Sequence, residues 1–205
     1  MSIVAYYIDV DAAQLAALRS NPPLVWTMAD DRRFASASRM DVDQDWQVLS
    51  WLASPARRSE SCQDAAVQLA KATTGQPNPD QVARASAKLG CQPAPQGPDL
   101  LLDAIEGRGS DREREPALNF GLGAARVFAP QAVRQIAVTF SQFPLSALRS
   151  NFDREKMARF HVGVSGWRQE DDTVRDEFLV PSFVRLSDFY QRAAKLNHYV
   201  LVLHL

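Results

Sequence analysis

Cysteine and histidine are scarce in this chain, and the few present are poorly placed for metal chemistry. Three histidines, His161, His198 and His204, form neither an HxxxH nor an HExxH pair, so no helix face offers two imidazoles to one ion. Cys62 and Cys91 are too far apart for a CxxC redox or zinc unit. They read as free thiols, since a disulfide between them calls for an oxidising compartment and no address in the sequence points to one. No metal and no cofactor is expected. An excess of one charge sign is missing too: 23 basic residues face 24 acidic ones, a net charge of −1, so no overall field draws phosphate backbones or anionic lipid. Nucleic acid and membrane surfaces are therefore not the expected partners. No apolar run approaches the roughly 18 residues of a membrane span. Residues 1–10 carry Asp9 among apolar side chains and no basic residue ahead of them, unlike a secretory leader. The expectation is a cytoplasmic protein.

What is present suits a folded chain. Apolar residues make up 46% and charged residues 23%, the balance of a globular protein, and 205 residues favour one domain. The β-branched and aromatic run at 3–8 predicts a strand. Asp11 followed by Gln14 is a capping-box pattern, which opens a helix over 12–18 that Pro22 and Pro23 stop. Residues 24–28 read as a short extended segment. Asp43 is placed to cap a helix whose Trp46, Leu49, Leu52 and Ala53 share one face. Large apolar side chains nearly vanish over 54–98, where two weak helices fit, about 63–73 and 79–89, the second opened by Asn78 and closed by Gly90. This segment reads as a polar helical insertion on the body.

Asp99 caps a short helix over 100–105 ended by Gly107, and the charged run 110–115 reads as an exposed loop. Residues 119–128 read as a strand or loop leading to Pro130, which suits a first helical turn. Val133, Ile136, Ala137 and Phe140 then give the clearest amphipathic helix. Further helical turns over 145–151 and 153–160, a turn at 163–166 and a helical region over 176–196 kinked at Pro181 follow. The last run, 199–205, is a strand that needs a sheet to pair it. Strands at both ends with helices between them predict an α+β fold. It is a single domain over 1–205, with a small mixed or antiparallel sheet that includes the N- and C-terminal strands and is packed by several helices.

Three familiar motifs fail at nameable positions. Asp41, Asp43 and Asp45 alternate like a calcium loop, but the sixth position is Trp46 and the twelfth Leu52, where a glycine and a bidentate glutamate belong. Gly121 and Gly123 imitate a dinucleotide turn whose third glycine is Arg126. Gly163-Val164-Ser165-Gly166 lacks the spacing of a hydrolase nucleophile elbow.

Two stretches carry a family resemblance. Arg39-Met40-Asp41-Val42-Asp43-Gln44-Asp45-Trp46-Gln47-Val48-Leu49 is one. The other runs from Leu100-Leu101-Leu102-Asp103-Ala104-Ile105-Glu106-Gly107 through Val127-Phe128-Ala129-Pro130-Gln131-Ala132-Val133 and Phe152-Asp153 to Phe189-Tyr190-Gln191-Arg192-Ala193-Ala194. Together they resemble the YfbM-like family of bacterial proteins, a domain family without assigned function. The resemblance implies a compact α+β fold and brings no catalytic residues with it; residues 54–98 depart from it. The functional expectation is a non-catalytic protein-binding module, most concretely an immunity protein that neutralises a cognate bacterial toxin. Its contacts are expected on the polar insertion and on Asp41, Asp43 and Asp45. The alternative is a small-molecule-binding protein or an enzyme with a site built from dispersed residues such as Trp46, Trp167 and Asn119.

Overall fold

Two runs of apolar side chains buried on both faces, one near each end of the chain, form the centre of a five-stranded sheet. The computed structural model describes residues 3–108, 114–120, 122–163 and 166–205. In chain order the elements are β1 (Ala5–Val10), α1 (Ala12–Ser20), α2 (Leu24–Thr27), β2 (Ser38–Asp41), α3 (Trp46–Ala53), α4 (Pro55–Thr74), α5 (Pro79–Leu89) and α6 (Leu100–Glu106). They continue with β3 (Arg114–Asn119), β4 (Ala124–Phe128), α7 (Pro130–Gln142), α8 (Leu145–Ser150), α9 (Arg154–Arg159), α10 (Val180–Lys195) and β5 (Tyr199–His204). The sheet order is β2-β1-β5-β4-β3, and every neighbouring pair is antiparallel.

The two-residue period of a strand splits the sheet's side chains between two cores. Ala5, Tyr7, Phe128, Val200 and Val202 face the larger one, which α3, α6, α7 and α10 cover. Ile8, Val10, Leu201 and Leu203 face the smaller, closed by Leu15 and Leu18 of α1 with Val25, Met28 and Phe34. The result is an α+β domain of three layers. In the larger core α7 and α10 meet through aromatic rings, Phe140 lying 5.2 Å from Phe183 and 5.4 Å from Tyr190. Two buried phenols close α6: Tyr7 donates to the carbonyl of Ile105 (2.6 Å) and Tyr190 to that of Ala104 (2.9 Å), satisfying acceptors that a helix C-terminus leaves open. Burial, and then the charge of Glu106, pushes the Tyr7 phenol far above its ordinary range, so it serves as a fixed donor.

Several local expectations hold. Asp11 and Gln14 form the reciprocal capping box of α1, Asn78 and Gln81 form that of α5, and Gly90 and Gly107 end α5 and α6 in left-handed conformations. Four others need correction. Residues 24–27 are helical rather than extended, because Pro22 and Pro23 start a turn: Leu24, Val25 and Trp26 N–H donate back to Asn21, Pro22 and Pro23. The first helix of the polar segment begins at Pro55, capped by Ser54, well before 63. Asp43 does not cap α3. The N-cap is Asp45, without a side-chain bond, and Asp43 sits at φ 49° in the turn before it. Pro181 does not break a helix but lies in the first turn of α10, preceded by a π-helical segment Val174–Leu179. Of the charged run at 110–115, residues 110–113 lie outside the described residues, as do Gly121, Val164 and Ser165; Arg114 and Glu115 open β3.

Candidate partner-binding surface

The three aspartates singled out in the sequence follow one another through the turn from edge strand β2 into α3. Asp41 ends β2 opposite Tyr6 and is exposed. Val42 then drops into the core, 2% exposed, which throws Asp43 outward in its left-handed turn, its carbonyl accepting from Ala5 N–H. Asp45 is half-buried at the start of α3. Burial, with the charge of Asp43 adding and that of Arg185 opposing, raises the Asp45 carboxyl above its usual range. The ionised form is thus less favourable in the folded chain than in the unfolded one. The group therefore costs stability as pH rises through the carboxylate range and costs nothing below it. Asp45→Asn is expected to melt roughly 1–3 °C higher than the parent at pH 7, the gap closing below about pH 4. Equal melting temperatures at pH 7 would remove the case.

The polar segment folds into a helical hairpin of α4 and α5. Its own core is small: Ala66, Ala70 and Ala85 are buried, with Leu69, Val82 and Leu89 partly so. Ser86 donates to Gln63 across the pair at 2.8 Å. Close to that contact Cys62 and Cys91 are joined in a disulfide, 29 residues apart in sequence with Cα atoms 5.5 Å apart. The reading of two free thiols is thereby corrected. A hairpin of this length returns the chain to its starting point, bringing the two residues at its base face to face.

Polar contacts close the hairpin's base and fix it to the body. Ser59 donates to the Gln92 carbonyl (2.7 Å) and Ser54 to Asp99 (2.6 Å). Glu106, 7% exposed, accepts from Ser50 Oγ (2.5 Å) and from Arg108 Nε (2.5 Å), while Arg108 also holds Glu60 at 2.7 Å. Arg57 Nε stands 3.2 Å from Glu106 Oε1 but off the angle of a hydrogen bond, so it acts there through charge alone.

The dispersed residues of the alternative reading have separate surroundings. Trp46 donates its Nε1–H to the Ile3 carbonyl (3.1 Å) and packs on His204, whereas Trp167 donates to Val162 (2.6 Å) and packs on Phe152. Asn119 belongs to β3, at the opposite edge of the sheet from β2. Gly123 leads into β4, a strand, so the position where a dinucleotide turn needs a helix has none. Two buried acids carry no motif in the sequence. One is Glu106. The other is Asp9, fully buried, which accepts from Ser38 N, Ser38 Oγ (2.9 Å) and Arg192 Nη1 (2.5 Å), with His198 Nδ1 3.5 Å away. A carboxylate inside an otherwise apolar strand run was the available signal for it.

The family model described as a domain of unknown function, DUF1877, matches residues 109–203. The crystal structure of YfbM from Escherichia coli, titled a protein of unknown function, superposes with a TM-score of 0.56 over 98% of this chain and 99% of that one, at 12% identity. The chain has a YfbM-like fold. At that identity the likeness to the YfbM structure concerns the fold. No curated protein matches the sequence. The family-matched segment of this YfbM-like chain contains β3, β4, α7 to α10 and nearly all of β5. The acidic turn and the α4–α5 hairpin lie outside it.

Proposed function

We propose that this YfbM-like chain is a non-catalytic protein-binding module, most concretely an immunity protein that neutralises a bacterial toxin. The α4–α5 hairpin is its recognition element and the Asp41–Asp45 turn a second contact. The observation that carries the reading is the hairpin itself: two helices that bury three alanines between them, closed on themselves by a disulfide and fixed to the body by ionic contacts. An element that adds so little to the core but is held so firmly is suited to recognition, because rigidity paid for in advance lowers the entropic cost of association. The buried acids support the non-catalytic part, since Asp9 and Glu106 are both occupied by protein donors.

Among the described residues no helix is long and apolar enough to cross a membrane. The surface serves in either redox compartment. In an oxidising one the bond makes the hairpin rigid; in the reducing cytoplasm, the home this reading favours, α4 stays tied to the body by Arg57–Glu106 and Arg108–Glu60 while α5 is more loosely held.

The test is co-expression with the toxic product of a neighbouring gene. The intact chain should bind that product and restore growth. A double substitution on exposed hairpin positions, Val67→Asp with Arg84→Glu, should abolish rescue while leaving the melting temperature within about 2 °C. Growth arrest that is the same with and without the chain sinks the reading.

A further inference from the structure

Where α3 turns into α4, the chain segment after α5 and the α8–α9 corner close around a cleft of 460 Å³. Its size lies within the range of small-molecule sites. Part of its wall is apolar, with Phe160, Pro93, Pro95 and the disulfide sulfurs; part is cationic, with Arg58 and Lys156. Two residues of this wall bear on what it can hold.

The first is Trp51, which lines the cleft and is 2% exposed. Its Nε1–H has no hydrogen-bond partner, whereas Trp46 and Trp167 each donate to a backbone carbonyl. That nitrogen has no surface open to the cleft, so Trp51 contributes its ring to the wall and serves as a nearby reporter.

The second is Arg58. Its Nη1 donates to the carbonyls of Trp51 (2.8 Å) and Leu52 (2.9 Å), closing the end of α3. Burial lowers the basicity of the guanidinium and the more distant Asp99 opposes that, but no described carboxylate is within ion-pair distance. Lys156, at the rim, is already paired with Asp153 (3.1 Å), which also lines the cleft.

We propose that this cleft binds a small organic carboxylate. Its head group lies on Arg58 beside the Trp51 indole, and its apolar body lies against Phe160 and the two prolines. One uncompensated guanidinium fits a single negative charge, and the Asp153 carboxylate on the rim disfavours a phosphate dianion. The apolar wall calls for a ligand with a hydrocarbon part, which a bare inorganic anion lacks. The site is independent of the hairpin's outer face, so it stands or falls separately from toxin binding.

The experiment titrates the full-length, 15N-labelled, oxidised chain with benzoate and hexanoate, and in parallel with benzyl alcohol and inorganic phosphate, while following the indole N–H resonances. The Trp51 signal is identified by its loss in Trp51→Phe. Benzoate or hexanoate should shift that resonance saturably with one-site stoichiometry, and the Trp46 and Trp167 resonances should stay in place. Benzyl alcohol and phosphate should bind at least about tenfold more weakly, and Arg58→Gln should weaken carboxylate binding by at least about tenfold. The proposal is overturned if neither carboxylate shifts the Trp51 signal by about 10 mM, or if benzyl alcohol or phosphate binds as well as benzoate. A folded Arg58→Gln chain with unchanged affinity also overturns it. The titrations of the parent chain decide the matter even where that variant does not fold.

Discussion

Replacing Asp9 with alanine lowers the unfolding free energy by about 3 kcal/mol, the low end of the cost of breaking a buried ion pair. Asp9 lies in β1, beside the central strand, and is fully buried. One carboxylate oxygen holds the start of β2 through Ser38 N and Oγ; the other holds Arg192 of α10. Arg192 in turn donates from Nη1 to Ser38 Oγ (2.6 Å) and from Nη2 to the Ser36 carbonyl (2.7 Å), so one acid joins two strands and a helix. Alanine leaves the Ser38 donors and the buried His198 ring facing a void. The estimate is kept at the low end because the Arg192 side chain is 43% exposed and water takes up part of its lost partner's role. Asp9→Asn, which keeps an acceptor for Ser38, should lose less. Urea unfolding of the three proteins measures both differences, and a loss below about 1 kcal/mol for Asp9→Ala would show that the network contributes little.

Reduction of the Cys62–Cys91 bond has an effect of similar size in a different place. Cross-linking residues 29 apart removes about 3–4 kcal/mol of loop entropy from the open hairpin in the chain-entropy account. Against that constraint the hairpin sets only a core of three alanines and a few partly buried side chains. The loss should therefore appear as local opening of α4–α5 and not as unfolding of the sheet. Hydrogen exchange on the oxidised protein, compared with the reduced protein or with Cys62→Ser, reads this directly. Amides of α5 should exchange at least about a hundredfold faster, from the loop-closure entropy released, while those of β5 keep their protection. Equal acceleration in both elements would mean that the hairpin and the sheet open as one unit.

The ease of reading each part from sequence follows the range of the interactions that fix it. Capping residues act within a single turn, so Asp11 with Gln14, Asn78 with Gln81, and Gly90 and Gly107 were visible as letters three or four places apart. The helix at α7 was equally plain because its period is local. β2 was not, since Ser38–Asp41 is a short edge strand with two exposed and two half-buried residues, formed only because β1 offers it a partner. The disulfide, the Asp9 network and the cleft at Trp51 depend on residues tens to nearly two hundred positions apart, and no local pattern marks such pairs. The acidic turn is visible in composition but its geometry is not: burial of Val42 decides which way Asp43 points, and a helix-cap pattern does not contain that information.

The position of β5 has a consequence for how the molecule can be divided. This strand lies between β1 and β4, with Leu203 opposite Tyr6 on one side and Val202 opposite Arg126 on the other. The family-matched stretch 109–203 includes β4 but not β1. A fragment excised at that boundary would present the apolar run Val200–Leu203 with its hydrogen-bonding groups open along one side, a template onto which further copies could add. The boundary that a family alignment draws through this chain is thus a poor place to cut it: the isolated half should polymerise or precipitate where the whole chain folds.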